Sequence, residues 1–260
     1  MHNSDRIAVS FLGLLGMCLM ACVGEADAPG EEQADAVEQG FLTRNALTPS
    51  ALTANRSATQ ALTEGPLTSA AIAGNEEVMS ALRDPLARDF LSYAVGCALP
   101  AEQSVEFSLD GEVYVVEGDI GVAPEWGRAH GHCNARCQGW ISACILARIN
   151  HLGERVPISM RGKNKALESD AAERAAFPLR EATYFGDLFA PEPRRYACKS
   201  PGSTLISRVC GGTGVDTDGC IVDVLGDCDD VCHDPASDGS FPNCAADGRT
   251  ISTTVTVFRQ

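Results

Sequence analysis

The chain has 260 residues and a strong excess of acid, with 35 Asp and Glu against 20 Lys and Arg and a formal net charge of −15. This charge disfavours nucleic-acid binding, because a phosphate backbone selects basic protein surfaces. The length allows one or two modest domains, and an apolar fraction of 45% is sufficient for a packed core. Twelve cysteines argue against a reducing compartment.

Residues 1–21 predict an export signal. Arg6 precedes the apolar run Ile7–Ala21, which is too short to span roughly 30 Å of hydrocarbon but typical of a secretory signal. The following tetrapeptide, Leu19-Met20-Ala21-Cys22, resembles the bacterial lipobox. The resemblance implies cleavage before Cys22 and acylation of that residue, and the Val that follows implies an outer-membrane address. Several acyl chains together anchor a protein essentially irreversibly.

Residues 22–74 predict a disordered tether. The first part, 23–40, is acidic and has little to bury. From residue 42 to residue 68, Leu-Thr recurs at a five-residue spacing with one degenerate unit, Ser57-Ala58, and the segment also contains Pro49 and Pro66. A five-residue step turns about 140° around a helix and makes no continuous apolar face. The repeats are also too few for a solenoid. We therefore expect a low-complexity stalk.

Residues 75–260 predict one folded domain that starts with helices and a hairpin. Asn75 is an N-cap followed by two glutamates, and Asp84 with Pro85 begins a second helix that we expect Gly96 and Pro100 to end. Asp110-Gly111 lies between two alternating apolar runs, the strongest local signal for a β-hairpin.

The remaining pattern predicts the α+β class. We expect another long helix over 137–151 and strands over 155–160, 181–189, 194–198 and 250–258. These elements do not alternate as βαβ units. The prediction is therefore two or three helices packed on a mainly antiparallel sheet, with a Cys- and Asp-rich lobe over 198–244.

Several runs carry a resemblance over roughly residues 40–260, namely LRDPLARDFLSYAVGCALP, GDIGVAPEW, CQGWISACILARIN and VPISMRG. They resemble an uncharacterised group of secreted or lipid-anchored bacterial proteins, which also carry Leu-Thr-rich leaders and Cys-rich tails. The resemblance implies this architecture and implies no activity.

Ten cysteines follow Cys22, and in an exported chain disulfides are their expected state. These candidates are Cys97, Cys133, Cys137, Cys144, Cys198, Cys210, Cys220, Cys228, Cys232 and Cys244. Cys137 and Cys144 would lie about 10 Å apart on a helix, beyond the roughly 7 Å that a disulfide tolerates, so we expect them to bond to different elements. The six cysteines of 198–244 are expected to pair among themselves, while the individual pairings stay open.

A thiol enzyme is the main alternative to a structural role for these cysteines. Cys137 begins a predicted helix, and a helix N-terminus lowers the pKa of a thiol. CQGWIS resembles the nucleophile helix of NlpC/P60 cell-wall peptidases, which implies a secreted thiol hydrolase acting on cell wall or peptide. That family needs a His on a following strand, whereas His151 shares the predicted helix and His233 lies in the acidic lobe.

Two further alternatives use cysteines as ligands. Cys228, Cys232 and His233 resemble a c-type haem attachment site with one extra residue between the thiols. A zinc site has suitable ligand types at His130, His132, Cys133 and Cys137. In an oxidising compartment such thiols are more often bridged.

Calcium is the one cofactor that the sequence suggests. Residues 209–248 contain nine Asp and no Lys or Arg, and hard oxygen ligands suit calcium. The candidate ligands are Asp216, Asp218, Asp223 and Asp227. The EF-hand template is not met, because Cys220 and Ile221 stand where Asp and Gly are needed. The competing interpretation is a solvated acidic surface.

The sequence therefore predicts a lipid-anchored protein of the outer membrane. No complete catalytic set assembles from its histidines, so we expect non-enzymatic binding or surface interaction. The expected partners are the membrane, through the lipid on Cys22, and a protein or envelope ligand of unknown identity.

Overall fold

The computed structural model describes residues 45–54, 56–152, 155–201, 207–211 and 220–260. The predicted signal, Cys22 and the acidic segment 23–40 lie outside these ranges. Within them, no helix combines the length and the hydropathy needed to cross a bilayer.

The described α-helices and β-strands confirm the α+β class. The helices are α1 (Pro49–Thr53), α2 (Arg56–Ala61), α3 (Ser69–Ala73), α4 (Glu76–Ala81), α5 (Pro85–Ala98), α6 (Ala135–Ala147), α7 (Ala171–Ala176), α8 (Ser207–Cys210) and α9 (Cys228–Val231). The strands are β1 (Ser104–Leu109), β2 (Glu112–Glu117), β3 (Ser159–Arg161), β4 (Leu179–Asp187), β5 (Arg194–Lys199), β6 (Asp223–Asp227), β7 (Cys244–Ala246), β8 (Arg249–Ile251) and β9 (Val255–Arg259).

The Leu-Thr segment is folded from residue 45 onward, so the predicted stalk up to residue 74 is wrong for this part. Asn45 is buried and accepts a hydrogen bond from the Val156 N–H at 3.0 Å. Thr48 and Thr68 cap α1 and α3, each accepting a hydrogen bond from a backbone N–H three residues further on. The folded domain therefore includes the described residues from Asn45 onward, thirty positions before the predicted start at residue 75.

The five-residue period has a local cause. Leu47 and Leu67 directly precede the two capping threonines, and each is buried, as are Leu52 and Ile72 five positions later. These are the N′ and N4 positions of a hydrophobic staple, in which an apolar residue before the cap packs on one in the first turns. Two units of the repeat, Leu47-Thr48 and Leu67-Thr68, are thus start signals for short helices, which need no continuous apolar face.

Local signals in the next segment are confirmed. The Asn75 side chain caps α4, and the Asp84 side chain caps α5. Asp110 and Gly111 have φ of 51° and 90° and join β1 to β2 as an antiparallel hairpin. Helix α5 ends at Ala98, between Gly96 and Pro100. A Cβ at Gly96 would lie 3.3 Å from a guanidinium nitrogen of Arg148. That glycine serves a close approach between helices.

Helix α6 lies across the central sheet, in contact with β4 and β9. The sheet has the order β3-β9-β4-β5-β6, in which every pairing is antiparallel except β5 with β6. The helix ends at Ala147, earlier than predicted, because the Asn150 and His151 N–H groups donate to the carbonyls of Leu47 and Arg208 instead.

A buried ion pair fastens the C-terminal end of α6 to the sheet. Glu181 on β4 is 0% exposed and Arg208 on α8 is 1% exposed, and they form two hydrogen bonds of 2.7 and 3.1 Å. Arg208 also donates to the carbonyls of Ala147 and Ile149. Burial alone would lower the pKa of Arg208, but Glu181 and Tyr184 beside it raise that pKa. The Arg208 guanidinium therefore stays charged while buried.

Five disulfides cross-link the domain. They are Cys97–Cys144, Cys133–Cys137, Cys198–Cys228, Cys210–Cys220 and Cys232–Cys244. Cys137 and Cys144 bond to different elements, as their spacing predicts. The six cysteines of the lobe 198–244 pair among themselves. Two of these bonds, Cys198–Cys228 and Cys232–Cys244, lie at a small second core that includes Phe185 and Phe241, whereas Cys210–Cys220 packs against the main core.

Candidate functional site

The first turn of α6 forms one wall of an open groove of about 810 Å³. The other two walls come from different parts of the chain, the segment 120–126 and the turn 163–166. Three sequence segments that are far apart therefore meet at one place on the surface.

The helix wall is set by local capping. Asn134 accepts hydrogen bonds from the N–H groups of Arg136 and Cys137, both at 3.1 Å, which directs the first turn of α6 toward the groove. The Gln138 side chain donates to the Cys133 carbonyl at 2.9 Å and holds the preceding residues against this turn. A helix N-terminus carries the positive end of the helix dipole, so the groove receives a partial positive charge.

The facing wall is fixed to the core. Val122 donates to the Cys97 carbonyl at 2.8 Å, which attaches the segment 120–126 to α5. Trp126, which follows in a 3-10 turn, is 1% exposed and donates its indole N–H to the Gly65 carbonyl at 2.8 Å. The folded Leu-Thr segment thereby supports the groove from behind.

The third wall is a short basic turn. Asn164 donates to the Val122 carbonyl at 2.8 Å and accepts from the Ala166 N–H at 3.0 Å, so its side chain connects the turn to the facing wall. Lys163 and Lys165 flank this anchor and are exposed. The sequence shows the same residues only as a basic cluster, because the hydrogen bond to residue 122 spans 42 positions.

The groove concentrates positive charge on an acidic protein. Arg136, Lys163 and Lys165 line it and are exposed, and none of them has a carboxylate within salt-bridge distance among the described residues. His132 lies beside them, and Glu125 is the one carboxylate on the described lining. This arrangement can receive an anionic group.

Both tryptophans of the chain, Trp126 and Trp140, border this groove. Each is almost completely buried, at 1% and 3% exposure. They form the apolar back of the groove. A ligand in the groove would alter their emission.

Cys137 lies in the wall of the groove and is half-buried, while its disulfide partner Cys133 is fully buried. The bond occupies both sulfurs that the zinc alternative needs. It also removes the thiol that the peptidase alternative assigns as nucleophile. In this structure His132 and Cys137 line the same groove, whereas His151 packs against Gly211.

The haem alternative is wrong in this structure. Cys228 is bonded to Cys198 and Cys232 to Cys244, so neither sulfur is available to a porphyrin. The one group of metal-capable side chains within the described ranges is Cys198, Cys232 and Cys244, and its three sulfurs belong to these two disulfides.

Only two of the four candidate calcium ligands are among the described residues. Asp216 and Asp218 lie outside the described residues. Asp223 is exposed at the start of β6, and Asp227 is half-buried at the N-cap of α9, so the two stand at opposite ends of one strand. No third carboxylate joins either of them in a metal-sized group within the described part of the chain.

The chain matches no protein-family model, no curated protein and no solved structure.

Proposed function

We propose that the chain is an exported, lipid-anchored envelope protein whose disulfide-stabilised domain binds an anionic ligand in the groove between α6 and the turn 163–166. The observation that carries the proposal is the groove itself, in which Arg136, Lys163 and Lys165 converge without carboxylate partners among the described residues. Leaving three cations unpaired on a chain of net charge −15 concentrates the attraction for anions at one place.

Export is supported by the cysteines. All ten cysteines that follow Cys22 are bonded in pairs within the chain, a state that forms and persists in oxidising compartments. The apolar run Ile7–Ala21 and the lipobox-like Leu19–Cys22 support the same address from the sequence.

The ligand chemistry follows from the donors. Two ammonium groups and one guanidinium face a partly apolar groove, which suits a ligand with carboxylate or phosphate groups. The groove is open and shaped by backbone anchors, so it is preformed and does not need to order on binding.

Anchoring is tested by the intact mass of the protein extracted from membranes. We expect a chain that begins at Cys22 and carries acyl chains, with ten additional hydrogens after full reduction of five disulfides. A Cys22→Ala variant should accumulate as an unprocessed precursor. Wild-type protein recovered without acylation would contradict the anchoring part of the proposal.

Ligand binding is tested by tryptophan emission, because both tryptophans border the groove. Oligoglutamate and polyphosphate serve as anionic probes of the two ligand chemistries, and a neutral oligoglutamine serves as the control. We expect at least one anionic probe to shift the emission saturably. The variant Lys163→Glu/Lys165→Glu should weaken this binding by about tenfold or more, since two attractive contacts become repulsive.

A matched control separates local from global charge. Arg155→Glu/Arg249→Glu makes the same change in net charge at two exposed positions that do not line the groove. It should leave binding within about twofold of wild type. Equal loss in the two double variants would mean that net charge, and not the groove, attracts the probe.

A further inference from the structure

We infer that Cys133–Cys137 is a thiol–disulfide exchange site, at which a substrate thiol attacks the Cys137 sulfur and is oxidised at the expense of this bond. The inference goes beyond ligand binding, because it assigns an activity to one of the five disulfides. The substrate class is a protein or peptide that carries two thiols.

Access points to Cys137 as the sulfur that is attacked. Cys137 is half-buried in the wall of an open groove, whereas Cys133 has no exposed surface. An incoming thiolate can therefore reach one sulfur of the pair. In contrast, Cys97–Cys144 is fully buried at both residues and ties α5 to α6 inside the core.

The surroundings of Cys137 favour its reduced form. It is the third residue of the thirteen-residue helix α6, where the helix dipole stabilises a thiolate. Arg136, Lys163 and Lys165 line the same groove and add positive charge beside it. Stabilising the thiolate of the reduced pair makes a disulfide a stronger oxidant.

The short loop that Cys133–Cys137 closes also distinguishes it from a disulfide whose main role is to stabilise the fold. Cys133 and Cys137 are four positions apart, whereas Cys97 and Cys144 are 47 apart. A cross-link that closes so few residues removes little chain entropy from the unfolded state. The Asn134 cap and the Gln138 hydrogen bond hold the start of α6 independently of the bond. Opening it leaves the helix start in place.

The exchange is balanced in two steps. A substrate thiolate attacks the Cys137 Sγ, the Cys133–Cys137 bond breaks, and its electron pair leaves on the Cys133 sulfur, which takes up a proton. The second substrate thiolate then attacks the substrate sulfur of the mixed disulfide, and Cys137 leaves as a thiolate. The substrate dithiol loses two electrons and two protons. The protein takes up both electrons and one proton, on Cys133, and the other proton goes to water. A small-molecule disulfide such as oxidised glutathione reoxidises the pair and is itself reduced to two thiols.

The order of reduction in the native chain tests the inference directly. The mature protein is treated with limiting reduced glutathione, alkylated at intervals and mapped by peptide mass. We expect alkylation of Cys137 and Cys133 about tenfold sooner than alkylation of Cys210 and Cys220. These two are also half-buried, but Cys210 is the last residue of a four-residue helix and Cys220 lies outside any helix. Reduction of Cys133–Cys137 no sooner than Cys210–Cys220 would overturn the inference.

A dithiol peptide with glutamates beside its cysteines gives the activity. We expect one peptide disulfide per protein chain in the absence of another oxidant, and turnover when oxidised glutathione is added. Cys133→Ser/Cys137→Ser should abolish this oxidation, while Cys210→Ser/Cys220→Ser should retain it. Retained oxidation in Cys133→Ser/Cys137→Ser would overturn the inference.

Two features keep this test independent of folding and of the proposed function. If the Cys133→Ser/Cys137→Ser variant fails to melt cooperatively, the order of reduction in the wild-type chain still decides the question. The tryptophan titration decides anion binding separately, because its probes contain no thiol. Binding without exchange would reject the inference alone, and exchange without binding of either anionic probe would reject the proposed anion specificity alone.

Discussion

Helix α6 is held differently at its two ends. At the C-terminal end, Arg208 donates to the last carbonyls and is paired with Glu181 out of contact with water, and Cys144 joins the core through a buried disulfide. At the N-terminal end, the helix opens onto a groove where Arg136 has no carboxylate partner among the described residues. The Cys137 disulfide reaches the surface there.

The contrast separates the residues that stabilise the fold at one end of α6 from the residues that we propose bind a ligand at the other end. Charges that are buried and mutually satisfied at one end have no remaining capacity for a ligand, and removing either partner leaves an uncompensated charge. Exposed cations at the other end contribute little to stability, because water solvates them, but they are free to meet an anion. We therefore expect substitutions at the two ends to have opposite profiles.

The largest expected effect is at the buried ion pair. Arg208→Met should lower the free energy of unfolding by about 3–5 kcal/mol, because Glu181 would remain buried without its partner. Arg259→Met is the control, since Arg259 contacts the same carboxylate at 3.7 Å but is partly exposed, and it should cost about 1 kcal/mol or less. Urea denaturation measures both. Equal losses would show that burial does not distinguish the two contacts.

The two disulfides of α6 give the next comparison. From loop length alone, Cys97→Ala/Cys144→Ala should cost about 4 kcal/mol and Cys133→Ala/Cys137→Ala about 2 kcal/mol. The core pair also loses buried sulfur contacts, which widens the difference. Thermal and urea unfolding of the two double variants compare them. A larger loss of stability in Cys133→Ala/Cys137→Ala would mean that the Cys133–Cys137 bond mainly stabilises the fold.

Tyr184 at the buried end gives a pH-dependent effect. Burial, together with the charge of Glu181, raises the pKa of Tyr184 well above 10, and its hydroxyl donates to Glu181 at 2.7 Å. Tyr184→Phe should cost about 1 kcal/mol near neutral pH through the lost hydrogen bond. Because the unfolded phenol ionises near pH 10 while the folded one stays neutral, the advantage of wild type should shrink as pH rises above about 10.

A second tyrosine with a raised pKa, Tyr196, must be separated from this effect. Burial and a hydrogen bond to Asp247 raise the pKa of Tyr196 to about 12. Tyr196 is present in both wild type and Tyr184→Phe, so its own loss of stability between pH 10 and 12 cancels in the difference. Urea midpoints at pH 8, 10 and 11 measure it. A difference that does not change with pH would contradict the role of Tyr184.

The smallest expected effect on stability is at the groove. Lys163→Glu/Lys165→Glu should change the free energy of unfolding by less than about 0.5 kcal/mol, because both side chains are exposed and the anchor Asn164 is unchanged. Urea denaturation checks this in the samples used for the tryptophan titration. A large loss of stability would mean that these lysines support the fold.

Signals that act within a few residues could be predicted from the sequence. Asn75, Asp84 and the Asp110-Gly111 turn form where expected, because caps and tight hairpins depend on neighbouring backbone groups. The Leu-Thr repeat is equally local, but its period matches neither a long helix nor a strand. The structure is needed to show that Thr48 in this repeat is the N-cap of a five-residue helix.

Features built from distant segments could not be predicted in the same way. Glu181 and Arg208 are 27 positions apart, and no spacing rule distinguishes them from surface charges. Helix geometry excludes a bond between Cys137 and Cys144, but the partner of Cys144 is Cys97, 47 positions away, and no spacing rule identifies it. The groove likewise joins the turn 163–166 to the segment 120–126 through a hydrogen bond of Asn164 that links residues 42 positions apart.

The central claim is that α6 is cross-linked at both ends, once inside the core and once at an accessible groove. Proteolysis of the native, unreduced protein followed by mass mapping of the linked peptides tests it most directly. We predict that the Cys144 peptide is linked to Cys97 and the Cys137 peptide to Cys133. Finding Cys137 linked to any other cysteine, or recovering it unlinked from the native protein, would contradict the account.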